Sequence, residues 1–299
     1  MKKLRGNLLL TITAMIWGSA FVAQSIGGDS LGAFTFNAAR SLIAAVFLIP
    51  CIFVIKKIEK DPVKKQIKID KPLIISGVCC GVALCVASAF QQIGISKTTV
   101  GKAGFITAMY IIIVPLLSRF FGKKIQPIIW LAVAISAVGL YLLCMNEGFS
   151  ISEGDFYILL CAVCFAVHIL IIDYFSDKTD GVIMSCIQFF TVGVLSLVIA
   201  LIFEQPSLPD IMSAILPILY TGVFSSGVAY TLQIVAQKDV NPTAASLIMS
   251  LESVFAAISG WLFLHESFSL KEFFGCVLVF SAIIIAQIPD MKSASQNKN

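Results

Sequence analysis

The sequence predicts an all-α polytopic membrane protein, with ten transmembrane helices as two inverted five-helix repeats and both termini cytoplasmic. Three observations predict it. Ten apolar stretches each approach the roughly 20 helical residues needed to cross a hydrocarbon core about 30 Å thick. The second five stretches echo the first five at a nearly constant offset. Lysine and arginine gather on one side of the alternating connections.

The stretches lie at about 7–26, 31–55, 72–92, 98–118, 126–145, 154–175, 181–203, 210–233, 241–263 and 270–289. Of the 299 residues, 58% are hydrophobic and 13% charged, which excludes an ordinary soluble domain. The connections are too short to hold one. The first stretch follows Met1, Lys2, Lys3, Leu4 and Arg5, as the core of a signal peptide would. It is longer than such a core, lacks a convincing cleavage site and precedes nine more stretches, so it reads as the first membrane helix. In the third stretch Gly77-Val78-Cys79-Cys80-Gly81 forms a GxxxG, a surface for close helix packing. In the fourth, Pro115 lacks a backbone donor and predicts a kink. The sixth holds His168, readable as a hydrogen-bonded packing residue or a proton relay, and Asp173 near its inner, solvated end.

All nine cysteines fall in apolar stretches and read as small packing residues rather than disulfides. Cys161 and Cys164 form a CxxC without an accompanying histidine or carboxylate cluster, so no metal and no cofactor is expected.

With the N-terminus inside, the inner connections carry seventeen lysines and arginines: Lys2, Lys3, Arg5, Lys56, Lys57, Lys60, Lys64, Lys65, Lys68, Lys71, Arg119, Lys123, Lys124, Lys178, Lys238, Lys292 and Lys298. The outer side holds Lys97, Lys102 and Lys271, and Arg40 lies within a helix. That bias places both termini in the cytoplasm. The basic loop at 56–71 is a topology signal ahead of a nucleic-acid or acidic-lipid surface, and no nucleic-acid partner is expected.

The first and second stretches match the sixth and seventh at an offset of 148: Ala14 to Ser19 face Ala162 to Val167, and Arg40 faces Gln188. The third and fourth match the eighth and ninth at about 141–142, give or take one residue, with Ala89, Phe90, Gln91, Gln92 and Lys97 opposite Ala229, Tyr230, Thr231, Gln233 and Lys238. The expected units are 7–145, 154–289 and a short cytoplasmic tail at 290–299. A half with five crossings ends on the side opposite its start, so the second half inserts upside down. Inverted repeats suit alternating access, because exchanging the conformations of the halves turns an inward-facing state into an outward-facing one.

Buried charge marks the candidate site. A charge at the bilayer centre costs about 2.5–3.5 kcal/mol on insertion scales, so it calls for a cavity or a partner. Arg40 lies some 14 Å into the second stretch from outside and Glu252 some 16 Å into the ninth from inside, at about 1.5 Å per residue. Three readings stay open. Arg40 faces a central cavity and holds an anionic group through its fork of donors. Glu252 takes up and releases a proton as access alternates. Alternatively the two charges satisfy each other or nearby carbonyls and only set helix packing. Asn37 shares a stripe with Arg40, while Trp17 and Tyr110 are candidate aromatic walls. Tyr230 and Gln233, like Gln91 and Gln92, are candidate gates. Lys102 either snorkels to the outer surface or lines an outer vestibule. Ser246, Ser250 and Ser253 form a small-residue stripe, read as close packing or as a wall leaving room for a ligand.

The residues Trp17-Gly18-Ser19 with Phe21, Arg40, Gly101-Lys102-Ala103-Gly104-Phe105, Tyr110 through Pro115, Leu251-Glu252-Ser253-Val254-Phe255-Ala256-Ala257, Gly260-Trp261-Leu262-Phe263 and Glu266 resemble the EamA-type drug/metabolite transporter superfamily. The resemblance covers about 7–289 and implies ten helices in two EamA repeats. The Arg40 and Glu252 positions recur in that superfamily across different substrates, which implies a role in architecture or coupling rather than selectivity. Two departures stand out. Ser253 replaces a frequent proline, implying a straighter ninth helix, and Lys123-Lys124 closes the first repeat where an acidic residue is common.

The expected function is secondary transport of a small organic metabolite, an amino acid or related compound, by alternating access with proton coupling or exchange. Its partners would be the substrate, the lipid bilayer and protons. The alternatives are a structural or receptor protein without transport, or an intramembrane enzyme. Against an enzyme, the chain lacks a GxSxG elbow, a pair of intramembrane aspartates and a histidine-rich metal set. Gly101-Lys102 lacks the upstream glycine and following hydroxyl of a phosphate loop, which excludes an ATP-driven pump built on this chain alone.

Overall fold

Every backbone polar group in lipid needs an internal partner, and helices supply it within one segment. The computed structural model describes residues 2–59, 66–144, 152–265 and 269–296, and helix is the regular structure throughout them. Lys60, Lys64, Lys65, Met145, Glu266 and Lys298, with the side chains of Cys144 and Lys292, lie outside the described residues. The first half comprises α1 (Lys2–Gly28), α2 (Ala33–Ile58), α3 (Lys71–Ile95), α4 (Val100–Ala108), α5 (Tyr110–Phe120) and α6 (Pro127–Cys144). The second comprises α7 (Glu153–Ser176), α8 (Gly181–Phe203), α9 (Leu208–Ser213), α10 (Ile215–Tyr220), a π-helix (Thr221–Ala229), α11 (Tyr230–Ala236), α12 (Pro242–Met249), α13 (Leu251–Leu264) and α14 (Leu270–Gln296). The last helix thus continues past 289, where a tail was expected.

Among the described residues, eight stretches are long and apolar enough to cross a membrane, while Pro127–Leu142 and Phe273–Ala286 are shorter apolar helices. Local chemistry sets several starts. Asp70 accepts from the Leu73 amide, Ser152 and Asp155 form a reciprocal capping box, and Asn241 accepts from the Ala244 amide ahead of Pro242.

Three stretches depart from the plain helices expected. The fourth breaks at Met109 rather than at Pro115, which sits inside α5. The proline removes the donor to Ile111, and the strain is relieved one turn earlier, where Met109 bonds Ile106 and Ile112 bonds Met109 through i to i−3 contacts. The ninth is interrupted at Ser250, between α12 and α13, without a proline at that point. The hydroxyls of Ser246, Ser250 and Ser253 each bond the carbonyl three residues back there. The eighth opens into the π-helix, where the Tyr230 amide reaches the Ser225 carbonyl.

Helices of the two halves pack on each other: α2 on α8, α3 on α7 and α8, α1 on α13, and α6 on α14. The GxxxG of α3 lies on α8, with Gly77 beneath Ile187 and Gly81 beneath Thr191. The antiparallel pair α2 and α8 is pinned at both ends. At one, Lys56 pairs with Asp180 at 2.5 Å, and Asp180 also caps α8 through the Val182 and Ile183 amides. At the other, the Glu204 carboxylate accepts from the amides of Phe34 (3.0 Å) and Thr35 (2.7 Å) and from the Thr35 hydroxyl (2.7 Å). Lys56 and Glu204 are 148 residues apart, the offset of the repeat. Glu204→Ala is expected to cost about 2 kcal/mol, because charged hydrogen bonds contribute about 1.5–3 kcal/mol each and only part of that is regained from water. Thermal unfolding in detergent reads this, and an unchanged midpoint would remove Glu204 as a clamp.

Candidate functional site

The breaks at Met109 and Ser250 lie 141 residues apart, the offset that relates the fourth and ninth stretches. Immediately after them come Tyr110, the first residue of α5, and Leu251-Glu252, which open α13. Two glycines bring neighbouring helices onto this point. Gly18 of α1 abuts the Glu252 carbonyl and Phe255, and Gly104 of α4 abuts Ala256. A side chain on either would hold the helices apart.

One small cavity forms there. From α1 it receives Trp17, Phe21 and Gln24, spaced four and three residues apart on one helical face. Arg40 enters from α2, Gln91 from α3, Thr107 from α4 and Tyr110 from α5. The second half contributes Phe165 and Ile169 from α7, Ser225 from the π-helix, Tyr230 and Gln233 from α11, and Glu252 from α13. The space amounts to about 20 Å³, room for a single water. Tyr230 is its aromatic hub, with ring centroids 4.5 Å from Trp17, 5.5 Å from Phe189 and 6.0 Å from His168. The Trp17 Nε1 donates to the Ser225 carbonyl at 3.3 Å, the same oxygen that closes the π-helical turn.

Arg40 is 4% exposed and Glu252 3%. They do not form an ion pair. One terminal nitrogen of Arg40 donates to Gln24 Oε1 at 3.1 Å, and the guanidinium sits 5.7 Å from the centre of the Phe36 ring. Among the described residues, five buried polar atoms of the lining have no hydrogen-bond partner of good geometry: Arg40 Nε, Thr107 Oγ1, Tyr110 Oη, Gln233 Oε1 and Glu252 Oε1. Tyr110 and Glu252 nonetheless stand close enough to interact as hydroxyl and carboxylate, and Thr107 stands likewise beside the Cys161 thiol. Buried polar groups are nearly always paired, so these atoms make the cavity a candidate site. The donors Arg40 and Tyr110 come from the first half, and the acceptors Gln233 and Glu252 from the second.

Of the candidates read from the sequence, Trp17, Arg40, Tyr110, Tyr230 and Glu252 meet in this cavity, with the gate candidates Gln91 and Gln233. Asn37, Gln188 and Lys102 are engaged elsewhere. Asn37 donates to the Ser88 carbonyl at 3.0 Å and braces α2 on α3. Gln188, the repeat counterpart of Arg40, lies within hydrogen-bond distance of His168 Nε2 at 2.9 Å. Lys102 pairs at 2.5 Å with Asp155, which also accepts from Thr98 at 2.9 Å, so this lysine ties α4 to the start of α7. Asp173 pairs with Lys123 at 2.5 Å.

Gln24 and Thr107 escaped the sequence reading. Their signal was present: Gln24 lies seven residues after Trp17, and Thr107 three before Tyr110, each on its partner's face. Ser225 acts through its backbone, which no side-chain pattern reveals. No group of three or more histidine, cysteine or carboxylate side chains is placed to hold a metal among the described residues.

Comparison with known proteins adds an independent line. The model of the EamA-like transporter family matches residues 4–145 and 152–287. An uncharacterized transporter of Archaeoglobus fulgidus is 31% identical over 288 residues, covering 96% of this chain and 87% of that protein. The uncharacterized inner membrane transporter YedA of Escherichia coli is 24% identical over 281 residues, covering 91% and 87%. A solved crystal structure superposes with a TM-score of 0.75 at 17% identity, covering 95% of this chain and 97% of the other, which speaks to the fold alone.

Proposed function

This chain belongs to the EamA-like transporter family, and we propose that it is a ten-helix secondary carrier whose two inverted repeats alternate access to the central cavity. It is a multi-pass transporter of the plasma membrane, and its named relatives point to transport rather than to enzymatic chemistry. In the proposed arrangement both termini are cytoplasmic, residues 7–145 and 154–289 are the two moving units, and the shorter apolar helices α6 and α14 complete ten crossings.

The cargo in this reading is a small organic metabolite bearing an acidic and a basic group, an amino acid or close relative, moved with proton coupling or by exchange. One observation supports it: Arg40 and Tyr110 from one half and Gln233 and Glu252 from the other converge on one cavity, with Arg40 Nε and Gln233 Oε1 lacking partners. A carboxylate suits Arg40 and Tyr110, an ammonium suits Glu252 and Gln233, and the Trp17 and Tyr230 rings supply an apolar wall. With room for one water, the cavity corresponds to a closed state, and substrate enters when the halves part.

Metabolite profiling of cells overexpressing the wild type or Arg40→Gln tests this. Overexpression is expected to shift the distribution of one amphoteric solute between cytoplasm and medium, and Arg40→Gln at equal membrane abundance to abolish the shift. Identical profiles for the two would overturn the role of Arg40 as an anchor for cargo.

A further inference from the structure

A second cavity, of about 220 Å³, lies where α5 ends and α12 begins. Lys123 and Lys124 stand at its edge, Ile125, Ile129 and Ala286 form an apolar side, and Asn241 and Thr243 open α12 across from them. Ser118 faces this space. It is 1% exposed, yet its hydroxyl has no partner, whereas Ser76, Ser88, Ser246 and Ser250 all bond the carbonyl three residues back.

The remaining features favour an anion. No carboxylate lines the cavity. Lys123 is held by Asp173, while Lys124 has no carboxylate within ion-pair distance among the described residues. The amino end of α12 adds the positive pole of a helix. Phe120 and Phe121 are strongly exposed beside it at the end of α5, so apolar surface adjoins the basic edge of the cavity.

We infer that this cavity binds the phosphoryl headgroup of an anionic phospholipid, with Lys124 and the amino end of α12 facing the phosphate and Ser118 donating to one of its oxygens. The apolar side accommodates the start of the acyl chains. Assignment to the inner leaflet rests on the orientation proposed above. Binding in detergent is read without reference to sidedness, so the two readings fail separately.

The test uses the full chain in a non-ionic detergent, titrated with dioleoyl phosphatidylglycerol, dioleoyl phosphatidylcholine or inorganic phosphate and read by native mass spectrometry. One retained phosphatidylglycerol is expected, weakened about tenfold by Lys124→Glu, since each cation near a headgroup contributes on the order of fivefold and the substitution also adds repulsion. Ser118→Val is expected to weaken it about threefold, the loss of one hydrogen bond. Lys57→Glu, on the same side but outside the cavity, should leave it unchanged, and melting without lipid verifies that each variant folds. Equal retention of phosphatidylcholine, equal weakening by Lys57→Glu, or binding of inorganic phosphate without binding of the lipid would each overturn the inference.

Discussion

Glu252→Gln is expected to lower gradient-driven transport about tenfold or more while leaving exchange of substrate across the membrane in place, a size typical of coupling free energies. Glutamine matches glutamate in shape and hydrogen-bonding reach but cannot cycle a proton. In the wild type the Glu252 carboxylate is buried, has no cation within ion-pair distance among the described residues, and keeps one oxygen unpartnered. A charge at this depth costs about 2.5–3.5 kcal/mol on insertion scales. A proton and a cationic substrate group are then two alternative ways of neutralising one site, which is the physical basis for coupling their movements. A permanently neutral residue still allows the loaded carrier to reorient but severs that competition. Wild-type gradient-driven rates at normal membrane abundance would eliminate Glu252 as the coupling group.

The second large effect concerns packing. Gly18→Ala is expected to destabilise the protein by about 3 kcal/mol or more, the upper end of overpacking costs, and to reduce the folded yield. A Cβ there would lie 2.7 Å from the Glu252 carbonyl oxygen and 2.8 Å from the Ala256 nitrogen, and backbone atoms cannot rotate aside. The nearby Gly101→Ala is the control. Nothing lies within 4 Å of its added Cβ, so it should be neutral or stabilise by up to about 1 kcal/mol through helix propensity. Thermal unfolding of both variants in detergent distinguishes them. Equal midpoints would mean that α1 does not depend on close approach to α13.

Much of the site was legible beforehand. A charge within an apolar stretch stands out at any rotation of its helix, which is why Arg40 and Glu252 were readable from depth alone. Trp17 and Tyr110 were readable as aromatic walls, whereas Tyr230, read as a gate, turns out to line the same cavity. Asn37, Lys102 and Gln188 had the same polar signature, but the fold gave them Ser88, Asp155 and His168 as partners. Whether a polar side chain meets a cavity or a neighbour depends on the helix opposite, and that neighbour comes from a remote part of the chain. The breaks were also only half visible. Pro115 announced a disturbance in the fourth stretch, whereas no such signal was read for the interruption at Ser250 or for the π-helix.

By itself the sequence determined the helical class, the order and spacing of the apolar stretches, the repeat and the depth of the buried charges. Lipid leaves the backbone no alternative to helix, and depth is simple arithmetic on the helical rise. Only the tertiary structure decided which face of each helix turns inward. In a water-soluble helix the apolar stripe would answer that question. Here lipid-facing and core-facing surfaces are equally apolar, as exposed Phe53 and buried Phe36 on the same α2 illustrate. Rotation is therefore set by close approach at residues such as Gly18 and Gly104 and by the pairing of polar side chains, and both exist only once the two halves have packed.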